Sequence, residues 1–189
     1  MPISPDERAK VRQVLLAERE ALSGAARSEA DRALADTLRR VVTERLGERL
    51  SSTVIGCYWP VRGEPDLREL FCEWPERALP HVVAPGAALG FRRWPVGGTL
   101  RIDQYGIPVP DNTLEVEPGL LIVPCLGFFV DSARTLYRLG YGGGFYDRTL
   151  AAHSCATIGV AYDSAQLTSY RPSCHDVPLE RIVTPTREL

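Results

Sequence analysis

Two stretches decide the fold: Leu120-Leu121-Ile122-Val123-Pro124, and soon after it Arg138-Leu139-Gly140-Tyr141-Gly142-Gly143-Gly144-Phe145-Tyr146-Asp147-Arg148. An apolar run without alternation is the pattern of a strand covered on both faces, as in a parallel sheet. Open α/β sheets bind ligands beyond the carboxyl ends of their strands, and the glycine run is expected at such an end. Glycine lets a ligand approach the main chain closely. Successive bare N–H groups form an anion-binding concavity, and a helix starting near Phe145 would add its partial positive charge. Arg138 and Arg148 have the forks for phosphate oxygens. Asp147 has the chemistry for Mg²⁺ beside phosphate.

The spacing excludes the two common nucleotide motifs. No Gly-Lys-Ser/Thr ending follows, so this is not a P-loop, and Phe145 stands where a dinucleotide fingerprint needs its last glycine. The alternative is a plain glycine-rich turn between strand and helix. Three adjacent glycines weigh against it, because they cost order unless a close backbone approach requires them.

Working outward, Ser4-Pro5-Asp6-Glu7 reads as a capping box with Pro at the first helical position. A helix is expected to about Leu22, with Val11, Val14, Leu15 and Leu22 on one face. Arg8, Arg12 and Arg19 lie near one another at helical spacing, either as a solvated face or as ligand-binding cations. Ser23-Gly24 breaks the chain. A second helix follows to about Leu46, its stripe formed by Ala30, Ala33, Leu34, Leu38, Val41 and Val42, with Gly47 as C-cap. Strands are expected at 53–58, 80–84, 88–94, 120–124, 157–162 and 181–184, and helices at 66–74 and from the glycine loop to about Ala152. The Gly- and Pro-rich segment 95–118 is expected to loop over the surface. Strands alternating with helices predict an α/β fold, a mostly parallel sheet covered by helices, with an N-terminal helical pair.

With 189 residues and 44% hydrophobic content, the chain suits a single domain over 1–189. A net charge of −2 leaves no nucleic-acid footprint. No run of 18 apolar residues marks a membrane span, and no signal peptide is visible at the N-terminus. The five cysteines form no Cys-x-x-Cys, so they are expected to be free thiols of a reducing, cytoplasmic protein. His81 and His153 read as ordinary polar residues. No interface motif stands out, and a monomer is expected.

Several segments together resemble one family. Arg138–Arg148 is similar to the Arg-Leu-Gly-x-Gly-x-Gly-x-Tyr-Asp-Arg signature of the 5-formyltetrahydrofolate cyclo-ligase (5,10-methenyltetrahydrofolate synthetase) family. Tyr58-Trp59-Pro60-Val61-Arg62-Gly63-Glu64 resembles that family's strand ending in a substrate-facing Glu. Tyr105-Gly106-Ile107-Pro108, Leu121–Pro124, Gly159–Tyr162, Gln166 and His175-Asp176-Val177-Pro178-Leu179 match further segments in the same order. The resemblance implies a three-layer sheet of the NagB/RpiA/CoA-transferase-like kind. It also implies ATP- and Mg²⁺-dependent conversion of 5-formyltetrahydrofolate to 5,10-methenyltetrahydrofolate, with ADP and phosphate released.

Residue by residue, the resemblance assigns Arg138, Leu139, Gly140, Tyr141, Gly142, Gly143, Gly144, Phe145 and Tyr146 to ATP, with Tyr141–Phe145 also lining the folate site. Arg8 and Arg12 match a basic pair that reaches ATP phosphates. Trp59 and Glu64 match folate-contacting positions, and Asp147 and Asp176 match Mg²⁺ ligands. Plain structural roles remain the alternative for each: Trp59 in the core, Asp147 at a helix start, Asp176 in a turn. Three departures stand out. The family's usual Lys is Arg8, and Arg and Lys differ in geometry. Phe145-Tyr146 replaces the commoner Tyr-Tyr. The segment 129–137 is longer than usual and lacks Gly, so it is expected to reshape the mouth of the site. Two other readings stay open: a nucleotide- or folate-binding paralogue without turnover, and a sugar-phosphate or CoA-transferring enzyme of related fold.

Overall fold

A computed structural model describes residues 4–111 and 114–189. The N-terminal helix α1 (Pro5–Glu20) starts as expected. Ser4 Oγ accepts from the Glu7 N–H at 3.2 Å, and Glu7 Oε2 accepts from the Ser4 N–H at 2.7 Å. That reciprocal pair satisfies two end donors the helix cannot bond itself. It stops at Glu20, two residues before the expected end. Val14 is 57% exposed, which corrects the expected apolar face. The face that packs holds Val11, Leu15 and Leu16 against Leu126, Leu139 and Tyr170. Arg19 is buried with it, so this side of α1 is not a solvated charge stripe.

Helix α2 (Gly24–Leu46) is N-capped by Ser23 and ends at Gly47, whose φ is 52°. The central sheet follows the order β10-β9-β6-β1-β2-β3, formed by β1 (Ile55–Gly56), β2 (Arg77–Val82), β3 (Leu89–Arg93), β6 (Leu120–Pro124), β9 (Ala156–Val160) and β10 (Arg181–Val183). All neighbours pair in parallel except β3, an antiparallel edge strand joined to β2 by the expected Pro-Gly turn. The apolar run β6 is buried throughout. Side chains alternate across a strand, so Leu120 and Ile122 face the core under α2 and α3 (Arg68–Glu73). Leu121 and Val123 face the core on the other side, with Phe128 and the partly buried Phe145 and Leu150 of α4 (Phe145–Ala152).

Two hairpins depart from expectation. Segment 95–118 is not a plain loop: β4 (Leu100–Ile102) pairs with β5 (Pro108–Pro110), and residues 112–113 of that segment lie outside the described ones. Segment 129–137 belongs to the hairpin of β7 (Gly127–Val130) and β8 (Leu136–Leu139). Its turn needs no glycine because Asp131 Oδ1 accepts from the N–H groups of Ala133 and Thr135, at 2.9 and 2.7 Å, and Arg134 takes φ 63°. The glycine loop therefore leaves β8 and not β6 directly. The first strand, expected over 53–58, forms ladder pairs only at Ile55–Gly56. Among the described residues no helix is long and apolar enough to cross a membrane.

Candidate active site

Beyond the carboxyl ends of β1 and β6 lies a cavity of about 430 Å³. Every residue that the resemblance assigns to the site lines it: Arg8, Arg12, Trp59, Glu64, Arg138, Leu139, Gly140, Tyr141, Gly142, Gly143, Gly144, Phe145, Tyr146, Asp147 and Asp176, whereas the candidate cations Arg19 and Arg148 do not. Four distant segments thus converge: α1, the turn after β1, the glycine loop with the start of α4, and the 170–176 segment. The expectation that the tip after β7 reshapes this mouth is not met. Only the end of β8, Arg138 and Leu139, reaches the lining.

The glycine loop is held from behind by arginines. Arg12 Nε donates to the Gly140 carbonyl at 2.8 Å. Arg148 Nη2 donates to the Gly143 carbonyl at 2.9 Å and its Nε to the Ala87 carbonyl at 3.1 Å. Gly142 and Gly144 have φ 102° and 68°, left-handed values that disfavour other residues. Gly144 is also the N-cap of α4, without a side chain to fill that role. Among the described residues nothing accepts a hydrogen bond from the N–H of Gly142, Gly143 or Gly144. A row of free donors at a helix start is an anion cradle.

Arg138 and Arg148 do not offer the free forks expected of them. Arg148 is spent on the two carbonyls and lies 5.2 Å over the Phe145 ring. Arg138 is 6% exposed, meets Asp147 Oδ2 at 2.9 Å and lies 5.3 Å over the Tyr146 ring. Its Nε is buried without a partner. Arg8 meets Asp176 Oδ2 at 2.6 Å and Oδ1 at 3.2 Å. Asp176 Oδ2 also accepts from Tyr170 Oη at 3.2 Å and from the Ser173 N–H at 2.7 Å. Burial works against the charge of Asp176, but Arg8 and these donors more than offset it and hold the carboxyl below its ordinary value. The bond to Asp176 in turn raises the Arg8 guanidinium.

Glu64 lines the same cavity, is 5% exposed and meets Tyr141 of the glycine loop. A tight turn presents it. Arg62 and Gly63 have φ 49° and 73°, the Glu64 N–H donates to the Val61 carbonyl at 3.0 Å, and Glu64 Oε2 accepts from the Val61 N–H at 3.0 Å. Burial pushes its carboxyl up to about 7, against the pull of the Val61 N–H and Arg19. Aromatic rings complete this side. Tyr105 meets Phe145 edge-on at 6.4 Å between centroids. Trp59 packs edge-on to Trp94 at 6.1 Å, with Arg68 4.8 Å over its ring, so it is both wall and packing residue.

Sequence reasoning missed several lining residues. Tyr105, Ile107 and His175 lie in segments that carried the resemblance, yet were given no role. His81, Asp103, Tyr170 and Ser173 also line the cavity and had no signal beyond their type. A wider, shallower groove of about 920 Å³ runs between α2 and α3 and shares Trp59. Its Arg39 is paired with Asp36 and Glu73, and its Arg68 with Asp66, so those forks are not available to a ligand, and the smaller cavity is the better site.

The chain is thus an α/β protein with a mostly parallel sheet, whose cavity brings together a row of unpaired glycine N–H groups, paired cations, a buried carboxylate and aromatic rings. The family model described as the 5-formyltetrahydrofolate cyclo-ligase family matches residues 5–185. A 5-formyltetrahydrofolate cyclo-ligase of Mycolicibacterium smegmatis (strain ATCC 700084 / mc(2)155) is 32% identical over 200 residues, which is 98% of this chain and 97% of that protein. The solved 5,10-methenyltetrahydrofolate synthetase of Aquifex aeolicus is similar at TM-score 0.77 and 27% identity, over 96% of this chain and 91% of that one. A second such synthetase, of Mycoplasma pneumoniae, matches at TM-score 0.72 and 24% identity, over 95% and 99%, and speaks to the fold. The chain belongs to the 5-formyltetrahydrofolate cyclo-ligase family and is an enzyme of that family.

Proposed function

We propose that the chain converts 5-formyltetrahydrofolate to 5,10-methenyltetrahydrofolate with consumption of ATP and release of ADP and phosphate. One observation carries this reading. The unpaired N–H groups of Gly142–Gly144 and the Arg8/Arg12 pair share a single cavity with buried Glu64 and its aromatic wall. The first set suits triphosphate oxygens. The second suits a pterin, whose ring N–H groups donate to a carboxylate while its faces meet aromatic rings.

The chemistry asks mainly for placement and charge neutralisation. A formyl oxygen is a poor leaving group. Its attack on the γ-phosphoryl makes it a good one, after which N10 attacks the activated carbon and phosphate departs. The cradle N–H groups, Arg8 and Arg12 receive the phosphate charge. Glu64 orients the pterin so that its formyl oxygen faces the loop. Holding both partners in one cavity converts a bimolecular encounter into a positioned one.

Magnesium fits the donors present. Asp147 has a side chain 25% exposed and, among the described residues, accepts only from Arg138 and, at 3.4 Å, from the Val177 N–H, which leaves lone pairs for a cation that keeps several waters. Asp176 holds Arg8 with both oxygens, so it would be free to hold Mg²⁺ with Asp147 once Arg8 bonded phosphate instead. Bound there with ATP, Mg²⁺ would neutralise charge on the phosphoryl oxygens.

Purified protein incubated with 5-formyltetrahydrofolate and MgATP tests this directly. Methenyl-folate absorbance should grow only when folate and ATP are both present, and chelation of Mg²⁺ should stop it. Folate and nucleotide binding without any product would instead indicate a paralogue without turnover.

A further inference from the structure

Arg19 does not line the cavity, and nothing in the resemblance assigns it a role. It is 5% exposed, an unusual position for an arginine unless its donors are engaged. Its Nε donates to the Arg62 carbonyl at 3.1 Å. Its Nη2 donates to the Tyr141 hydroxyl, and its guanidinium lies 5.4 Å over the Tyr141 ring. That hydroxyl reaches the Val61 carbonyl at 3.5 Å, and Arg62 covers the same ring, also at 5.4 Å. From α2, Arg27 Nη2 donates to the Arg19 carbonyl at 2.8 Å, and a Cβ on Gly63 would come 2.7 Å from Arg27 Nη1. The end of α1 is thus tied at once to the turn that presents Glu64 and to the residue that opens the glycine triplet.

We propose that Arg19 is a positioning residue of this site: it clamps Tyr141 of the glycine loop to the Val61–Glu64 turn, which sets the two walls of the cavity at a fixed spacing. The inference deepens the cyclo-ligase reading and rests on it for its kinetic consequences. A ligand held by both walls needs their separation preset, and a looser wall loses reaction geometry before it loses the fold. Arg19 also acts through charge. The titratable groups facing Glu64 are Arg19, Tyr141, Tyr58, Tyr146 and Cys125. Arg19 is the cation among them and opposes the cost of ionising a buried carboxylate.

The test compares wild type, Arg19→Met, Arg19→Lys and Tyr141→Phe in kinetics and in ligand-free hydrogen exchange. In Arg19→Met, the KM for folate should rise about tenfold with the KM for ATP within about twofold. The acidic limb of kcat/KM for folate should move up by about one pH unit, because Glu64 has lost its cation. Arg19→Lys keeps the charge, so its limb should stay at the wild-type position. Tyr141→Phe should raise the folate KM and, because the Tyr141 hydroxyl also hydrogen-bonds the Glu64 carboxylate, move the limb up by less than Arg19→Met does. An unmoved limb in Arg19→Met, or a matching rise in the ATP KM, overturns the proposal. The exchange measurement stands apart from any activity. Arg19→Met and Tyr141→Phe should both accelerate exchange at the Val61 and Glu64 amides, which are hydrogen-bonded within the turn, with helix α2 unchanged, and unaltered protection there overturns the clamp. A wild-type protein without turnover would refute the cyclo-ligase reading and leave this exchange test of the clamp to decide.

Discussion

Burial holds the Glu64 carboxyl near about 7, against an ordinary value of 4.5. Between those two values the folded chain binds more protons than the unfolded chain. Stability therefore falls as pH rises through this window and levels off above it. A shift of this size corresponds to about 3–4 kcal/mol at most. Glu64→Gln removes the ionisation and keeps the shape. It should stabilise the protein by about 1–3 kcal/mol at pH 8 and by nearly nothing at pH 4.5, measured by urea unfolding at both. Equal stability at pH 8 would mean that the carboxylate is far better solvated than its 5% exposure implies. The same carboxylate was legible in the sequence only through the resemblance of Tyr58–Glu64 to a family segment; the turn that buries it was not. Arg19 was not legible. An arginine between Glu18 and Glu20 on an amphipathic helix reads as solvated, and only the packing of α1 over the Tyr141 loop buries it.

Elements whose identity depends on local chemistry were readable, and elements that depend on distant partners were not. The run at 120–124 and the helix start at Phe145 came out at their observed bounds. An uninterrupted apolar run and a glycine stop are local signals. The β4–β5 and β7–β8 hairpins escaped because their strands are three or four residues long. One is Pro-Val-Pro, and the other turns on the Asp131 side chain rather than on a glycine. The glycine loop itself yields a prediction at this scale. Gly144 combines φ 68° with a virtual Cβ 2.6 Å from Arg148 Nη1. Gly144→Ala should cost about 1–2 kcal/mol of stability from the left-handed backbone, with a larger relative loss in kcat/KM for ATP. Thermal unfolding and kinetics on one preparation separate the two. Full activity at wild-type Tm would show that the loop does not need this conformation.

At the scale of the whole molecule, the sheet brings residues 8–12, 59–64, 138–147 and 170–176 around one cavity. The motifs named these segments, but no local pattern says that Arg8 closes on Asp176 or Arg138 on Asp147. The first of those pairs exists because α1 packs on Leu126, Leu139 and Tyr170, which sets Arg8 against the 170–176 segment. Arg8 and Arg138 are paired with carboxylates while Arg12 bonds the Gly140 carbonyl, and in the proposed reaction a triphosphate with its metal would take over those partners. The anion cradle and the ring-binding residues share one cavity, and in the proposed reaction a phosphoryl group passes to an oxygen of the second substrate. Oxygen-18 placed in the formyl group of 5-formyltetrahydrofolate reports on that step. With MgATP and the purified protein, the label should appear in the released inorganic phosphate, one atom per methenyl-folate formed. Phosphate free of the label, with the heavy oxygen recovered in water, would contradict direct phosphorylation of the formyl oxygen in this cavity.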